Sequence, residues 1–312
     1  MSVVARKQLQ QVMALLKDKQ HEKHLALENM IEWLDSQETG QLYRMVDPSD
    51  SPERALAKNK LKQCGILKHS FFSHPLERQL FLQPVKSDAD SVRQMVIDER
   101  QLIPERRTEP FPFCGWIYSH YPLESLVEHL NEQRIIKRKH GKPSLFRYQD
   151  SRVLERLVDI LSKAQLTNLL GPVEAWWYFD SNKKLSMLSN CRTKEKSTRT
   201  ILSVSQWDTL KRIGMVNSFM EMWQNLTFQN KREISPAEVD SVVMVAYEKG
   251  IVVEEDVKLF VLHGILIPRF YQHPYMIQKL DSIERGESYS SIASIINDHL
   301  WTKIQREMEI SL

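Results

Sequence analysis

Glycine is scarce in this sequence, with 9 among 312 residues. The glycine-rich motifs GxGxxG, GxxxxGKS and GxxxxGKT do not occur. Loops with these motifs bind phosphate groups through successive backbone N–H groups. The sequence therefore gives no indication of a nucleotide site, and we expect no nucleotide cofactor.

Cysteine is sparse and widely spaced. Cys64, Cys114 and Cys191 lie about fifty or more residues apart, so they form neither a close metal-binding pair nor an even-numbered disulfide framework. This pattern is typical of a reducing compartment, and the N-terminus lacks the apolar stretch of a signal peptide. The most apolar late run, Val257 to Pro268, is about a dozen residues long, against the roughly 20 that a spanning helix needs. We expect a cytoplasmic protein with no membrane span.

Neither sign of charge dominates. The sequence has 43 Lys and Arg against 40 Asp and Glu, a net charge of +3, whereas binding through many phosphates usually needs a strongly basic surface. The positive charges that do cluster are Arg134, Lys137, Arg138, Lys139 and Lys142 on a predicted hairpin, and Arg192, Lys194, Lys196 and Arg199 on a later loop. A solvated turn and an acidic partner both explain such runs. We expect no nucleic-acid partner, and the alternative is a nucleic-acid binder that uses the hairpin 134–142.

No residue pattern indicates catalysis or metal binding. In His21-Glu22-Lys23-His24 the histidines are three apart, whereas a zinc-peptidase helix needs them four apart on one face. Cys114 has no nucleophile motif around it and is predicted to be a small buried hydrophobe. We expect a protein that is not an enzyme and holds no metal or cofactor. The alternative is a hydrolase whose site carries no recognisable motif.

Turn-forming and polar stretches divide the chain. We predict a helical segment over residues 1–40, a mixed α/β domain over 41–190, a linker over 191–204 and an all-helical lobe over 205–312. The linker is predicted because it is polar and basic with almost no apolar anchors. The fold class is therefore α+β, with a small, largely antiparallel sheet followed by helices.

Local patterns predict the elements of the mixed domain. Short apolar runs predict strands over Leu80–Val85, Phe113–Tyr118, Ala175–Phe179 and Leu185–Leu188, and a hairpin of Ile135–Ile136 with Leu145–Tyr148. A helix is predicted over 122–133 with Pro122 at its first position, and another begins at Asp150 or Ser151. A capping box at Ser162 and Gln165 starts a shorter helix that ends at Gly171.

The pattern after the linker is helical. Ser235-Pro236-Ala237-Glu238 predicts the start of a helix that runs to Gly250. Further helices are predicted over 254–266, 275–284 and 289–308.

Charged residues flank the predicted helix start near residue 151. Arg147 is predicted to lie on a strand just before Asp150, and Arg152 lies two residues after it, so a guanidinium–carboxylate pair can join strand to helix. The apolar residues around them are predicted to be core, namely Phe146, Val153, Leu154, Trp176 and Trp177.

The order of motifs from Cys114 to Asp180 is the most distinctive feature of the sequence. A helix ends in Glu128-His129-Leu130, a basic hairpin follows, and then come Leu145-Phe146-Arg147-Tyr148-Gln149-Asp150-Ser151-Arg152-Val153-Leu154 and Gly171-Pro172-Val173-Glu174-Ala175-Trp176. This order resembles the conserved domain of the effector chaperones, or adaptors, of type VI secretion, over about residues 40–185. Where that family often has a proline, this chain has Ser151, which also suits a helix start.

The resemblance implies an adaptor that binds a cognate toxin effector and helps to load it onto a VgrG-type spike, without chemistry. We expect the protein-binding residues to be among Arg147, Asp150, Arg152, His129, Trp176, Arg138 and Lys139. On the residues alone, Arg147, Asp150 and Arg152 are also explained as parts of the scaffold.

Overall fold

The structure is a computed structural model, and it describes residues 24–68, 75–106, 109, 111–136, 144–190, 192–194, 198–228, 231–283 and 286–310. These residues form two compact units: the first runs to Ser203, and the second comprises Arg106 and the residues from Val204 onward. The α+β class and the antiparallel sheet expected from the sequence are confirmed. Among the described helices, none is long and apolar enough to cross a membrane.

The first unit is built on an antiparallel sheet. Its described strands are β1 (Gln41–Val46), β2 (Gly65–Leu67), β3 (Leu80–Val85), β4 (Phe113–Ser119), β5 (Ile135–Ile136), β6 (Ser144–Leu145), β7 (Ala175–Phe179) and β8 (Leu185–Ser189). Six of them form one sheet in the order β2-β3-β1-β4-β7-β8, while β5 and β6 pair separately. Every pairing is antiparallel.

Five α-helices accompany the sheet in the described part of this unit. They are α1 (residues 24–35), α2 (Ala89–Gln101), α3 (Leu123–Gln133), α4 (Ser151–Ile160) and α5 (Lys163–Leu170). Apolar residues of α1 and α2 pack with those of β4 and β7 in one buried cluster. Within it the ring of Trp33 meets that of Trp177 edge to face, with centroids 5.1 Å apart. Burying these large apolar surfaces is what fixes both helices on the sheet.

Most of the predicted elements of this unit are confirmed, with two corrections. Pro122 is the N-cap residue of α3 and not its first helical residue. The strand predicted to reach Tyr148 stops at Leu145, because the chain turns there and the N–H of Asp150 donates to the carbonyl of Arg147 at 3.1 Å. Of the helical segment predicted over 1–40, residues 1–23 lie outside the described residues.

The second unit consists of helices and their connections in its described residues. They are α6 (Val204–Asn225), α7 (Pro236–Glu248), α8 (Glu254–Leu266), α9 (Pro274–Leu280), α10 (Tyr289–Ser294) and α11 (Asp298–Ile310). Their buried faces share one apolar core that includes Phe219, Val243, Phe260 and Phe270. The predicted cap of α7 is confirmed, since the side chain of Ser235 accepts from the N–H of Glu238 at 3.1 Å.

Two predicted helices of this unit have different bounds in the structure. The helix expected over 275–284 begins at Pro274 and ends at Leu280. The helix expected over 289–308 is two helices, α10 and α11. It breaks because the side chain of Asn297 accepts from the N–H of Leu300 at 2.9 Å and so begins a new helix.

Candidate functional site

An open cleft in the first unit brings together the charged residues of the motif. It lies where the loop after β1, the start of β4 and the turn before α4 meet. Its lining residues are Asp47, Asp50, Ser51, Phe111, Pro112, Cys114, Arg147, Gln149, Asp150 and Arg152. Residues from three distant stretches of sequence therefore share one surface.

Asp150 and Arg152 form a bidentate ion pair at the start of α4. Asp150 is the N-cap residue, and its Oδ1 accepts from the backbone N–H of Arg152 at 3.0 Å. The guanidinium of Arg152 donates from Nε to Oδ1 at 2.9 Å and from Nη2 to Oδ2 at 2.6 Å. Burial opposes the ionisation of Asp150, but the hydrogen bonds and charge of Arg152 outweigh it and lower the pKa of Asp150. This pair therefore stabilises the start of α4.

Arg147 makes different and more exposed ion pairs. It lies in the turn rather than on a strand, which corrects the prediction. Its Nη1 lies 3.1 Å from Oδ2 of Asp50 and its Nη2 lies 3.7 Å from Oδ2 of Asp47. Burial disfavours the charge of Arg147, but Asp47, Asp150 and Asp50 together raise its pKa. The side chains of Arg147 and Asp50 are 41% and 51% exposed, so both groups are accessible from solvent.

Gln149 and Asp47 form the floor of the cleft, and sequence reasoning missed both. Gln149 is 1% exposed, and its Nε2 donates to Oδ2 of Asp47 at 2.9 Å. The other oxygen of Asp47 accepts from the N–H of Ser49 at 3.2 Å. No local pattern signals this contact because the two residues lie in distant parts of the sequence.

The chemistry of this cleft is that of charge pairing and hydrogen bonding. Asp47, Asp50 and Asp150 face Arg147 and Arg152, so acidic and basic groups lie side by side. The thiol of Cys114 lines the cleft, but burial raises its pKa well above the ordinary value, and a protonated thiol is a weak nucleophile. Among the described residues, no group of three or more His, Cys, Asp or Glu side chains is placed to hold a metal ion.

The comparison with known families bears on this part of the chain. Residues 42–168 match the model of a family described as a domain of unknown function, DUF4123. The matched segment is less than half of the chain, and it includes every residue that lines the cleft. No curated protein and no solved structure was found to match.

Two of the residues expected to bind a partner are buried. Trp176 is fully buried, and its Nε1 donates to the carbonyl of Cys114 at 3.0 Å. His129 is also buried, with Nε2 3.0 Å from the carbonyl of Leu169. Both side chains lie in the interior of the first unit, so neither is part of its surface in this structure. Their role in protein binding stays a prediction.

The basic hairpin lies mostly beyond what the structure describes. Arg138 and Lys139 fall outside the described residues. Arg134, at its base, is buried and donates from Nη1 to the carbonyl of Leu67 at 2.9 Å. Arg134 therefore lies inside the unit and is not part of a basic surface.

Proposed function

We propose that the chain is an adaptor of type VI secretion that binds a cognate toxin effector and helps to load it onto a VgrG-type spike. It acts in the cytoplasm of the producing cell as a carrier, without catalysis, cofactor, nucleic acid or membrane. The observation that supports this proposal is the motif order that resembles that of effector chaperones, of which the central part, residues 147–152, lines part of the cleft. The match of residues 42–168 to one family supports the same assignment of the segment.

The two arginines of the cleft differ in how readily a partner can engage them. Arg152 donates two partly buried hydrogen bonds, of 2.9 and 2.6 Å, to Asp150, and breaking such a pair costs several kcal/mol. Arg147 is paired with the half-exposed Asp50 and, at 3.7 Å, with Asp47. Exposed pairs of this kind contribute little to stability, so a partner carboxylate can replace Asp50 at small loss. Arg147 is therefore the residue through which the cleft recognises the toxin.

The proposal is tested by affinity capture of the full-length chain from the cell that produces it, with captured proteins identified by mass spectrometry. Wild type is expected to retain a secreted toxin and a spike protein. Arg147→Glu is expected to lose the toxin, but it also sets a further carboxylate beside Asp47 and Asp50. Arg147→Gln adds no carboxylate and should lose the toxin while its melting temperature stays within about 2 °C of wild type, since an exposed pair is worth less than about 1 kcal/mol. The matched control for Arg147→Glu is Lys58→Glu, which makes the same charge change at a side chain that is 85% exposed and does not line the cleft.

Two outcomes would count against the proposal. If wild type captures neither a secreted toxin nor a spike protein, the adaptor function is wrong. If Arg147→Glu and Lys58→Glu retain the toxin equally, the function stands but the cleft is not the binding surface.

A further inference from the structure

In the described part of the chain, the outer edge of β8 is an unpaired edge of the sheet. β8 is the last strand of the six-stranded sheet and pairs with β7 on one side. In the ranges that the structure describes, no strand pairs with its other side. An open edge of this kind presents a row of backbone donors and acceptors to solvent.

The hydrogen bonds at the two ends of β8 show which residues face outward. The carbonyl of Lys184 accepts from the N–H of Asp180 at 2.9 Å, and the N–H of Asn190 donates to the carbonyl of Glu174 at 2.8 Å. In an antiparallel pair the inward and outward residues alternate, so the even-numbered residues of β8 face β7. The outward residues are Leu185, Met187 and Ser189.

The strand β8 itself carries none of the residues or bulges that usually protect an edge strand. Its sequence, LSMLS, has no charge and no proline, and its register with β7 is unbroken, whereas edges are commonly blocked by Lys, Pro or a bulge. The side chain of Met187 is 46% exposed. The opposite edge differs, because β2 has only three residues and the carbonyl of Leu67 accepts from Arg134 at 2.9 Å. β8 is thus the sheet edge suited to receive another strand.

The charges beside β8 discriminate between possible occupants. Lys183 and Lys184 precede the strand, and Arg192 and Lys194 follow it. If two copies of this chain paired antiparallel about Met187, the lysines of each copy would come close to Arg192 of the other. Like charges on neighbouring strands are destabilising. A segment with acidic residues at its ends is complementary instead.

We propose that the β8 edge binds an extended segment of the toxin effector, which adds a seventh strand to the sheet. The segment carries an apolar residue beside Met187 and acidic residues near Lys183 and Arg192. Backbone hydrogen bonds supply affinity in this mode of binding, and alternate side chains supply specificity. This inference rests on the proposed adaptor function, because it names the kind of segment that the adaptor recognises.

The direct test is amide hydrogen–deuterium exchange of the full chain, alone and in complex with the toxin that co-purifies with it. The amides of Leu185, Met187 and Ser189 are expected to exchange at least about tenfold more slowly in the complex, because their N–H groups become bonded. The inward amides of Ser186 and Leu188 serve as internal controls, since they are already bonded to β7 and should change less.

Variants at Met187 distinguish the contribution of the backbone N–H to toxin binding from that of the side chain. Met187→Pro removes an outward N–H and leaves the ladder to β7 intact, since proline is tolerated at the outward positions of an edge strand. It is expected to weaken toxin binding by about tenfold or more, whereas Met187→Ala keeps the N–H and should weaken it less. Met187→Lys blocks the edge by charge and gives the same test if the proline variant fails to fold. Lys183→Glu should also weaken binding by repelling an acidic end of the segment.

The outcomes separate this inference from the function on which it rests. If wild type captures no toxin, both fail together. If the toxin binds wild type, Met187→Pro and Met187→Lys equally and the amide exchange is unchanged, the edge is not the binding site while the adaptor function stands. If wild type is a dimer by sedimentation and Met187→Pro is a monomer that still binds toxin, the occupant is a second copy of the chain and the inference is wrong. If Lys183→Glu alone leaves toxin binding unchanged, the bound segment does not carry acidic residues at its ends.

Discussion

The amide of Gln149 donates from Nε2 to Oδ2 of Asp47 at 2.9 Å and so joins residues that lie 102 positions apart. A carboxylate can only accept, so the amide must present its NH₂ group to Asp47. The bond ties the loop that carries Asp50 to the turn that carries Arg147. The two exposed charges of the cleft are therefore held in place by a buried contact beneath them.

Substitution of Gln149 tests this buried contact. Gln149→Leu should lower the free energy of unfolding by about 1–3 kcal/mol, because Asp47 loses a donor in a buried position. Gln149→Glu has nearly the same shape but sets a second carboxylate beside Asp47, so it should cost more at pH 7 and recover as the pH falls toward about 4. Urea denaturation at both pH values measures these differences. A Gln149→Glu protein as stable as wild type at pH 7 would refute the assignment.

The pairing of Asp150 with Arg152 predicts a pH dependence. The pKa of Asp150 lies below its ordinary value of 3.8, so its charge stabilises the fold above that pH, and the effect is lost as the pH falls through the folded-state pKa. Asp150→Asn keeps a capping side chain and removes the charge. It should be roughly 1–3 kcal/mol less stable than wild type at pH 7, with the gap closing below pH 4. A gap that is constant from pH 7 to pH 3 would mean that the charge is not responsible.

Two glycines should respond to alanine with opposite sign. Gly171 ends α5 at φ +53°, and a Cβ there would overlap the ring of His129. Gly171→Ala should therefore destabilise the first unit by about 2 kcal/mol or more, through strain and overlap. Gly214 lies within α6, where a Cβ meets nothing, so Gly214→Ala should stabilise the second unit by roughly 0.5–1 kcal/mol. Chemical denaturation of both variants checks the pair, and an unchanged Gly171→Ala protein would contradict the packing described.

The buried His263 predicts acid sensitivity of the second unit. Burial lowers the pKa of His263 to about 4, and its Nδ1 lies 2.6 Å from the hydroxyl of Tyr289. The unfolded chain takes up a proton near pH 6.5 and the folded one only near pH 4. As the pH is lowered from 6.5 to about 4, the free energy of unfolding should therefore fall, by at most roughly 3 kcal/mol. It should level off below pH 4.

His263→Gln is the matched variant for this prediction. It removes the titrating group and should flatten the pH dependence of the second unit between pH 6.5 and 4. An NMR titration of wild type reports the imidazole pKa directly. A value near 6.5 would show that the site is solvated and would contradict the burial on which the prediction depends.

Local signals were enough to predict the starts of several helices. The capping box of Ser162 and Gln165, the Ser235 cap and the Asp150 cap are all present, because each needs only residues within one turn. The order of strands in the sheet could not be predicted from local patterns. β1 lies between β3 and β4, and such pairing depends on contacts between distant residues. The break at Asn297 was missed because apolar spacing continues through it.

The candidate site shows the same division between local and distant contacts. The Asp150–Arg152 pair follows from their spacing. The partners of Arg147 do not, because Asp47 and Asp50 come from a loop about a hundred residues earlier. A strand was predicted at Arg147 as one arm of the hairpin with Ile135–Ile136, but the turn that precedes the cap of α4 requires a different backbone there.

Secretion of the toxin tests the central claim most directly. The toxin that co-purifies with the chain is followed in the culture medium of cells with the gene intact, with the gene removed, and with the gene restored as wild type or as Arg147→Glu. If the chain is the adaptor for that toxin, the toxin should disappear from the medium when the gene is removed, return with wild type and stay absent with Arg147→Glu. Export of the toxin at the same level in all four strains would contradict the account.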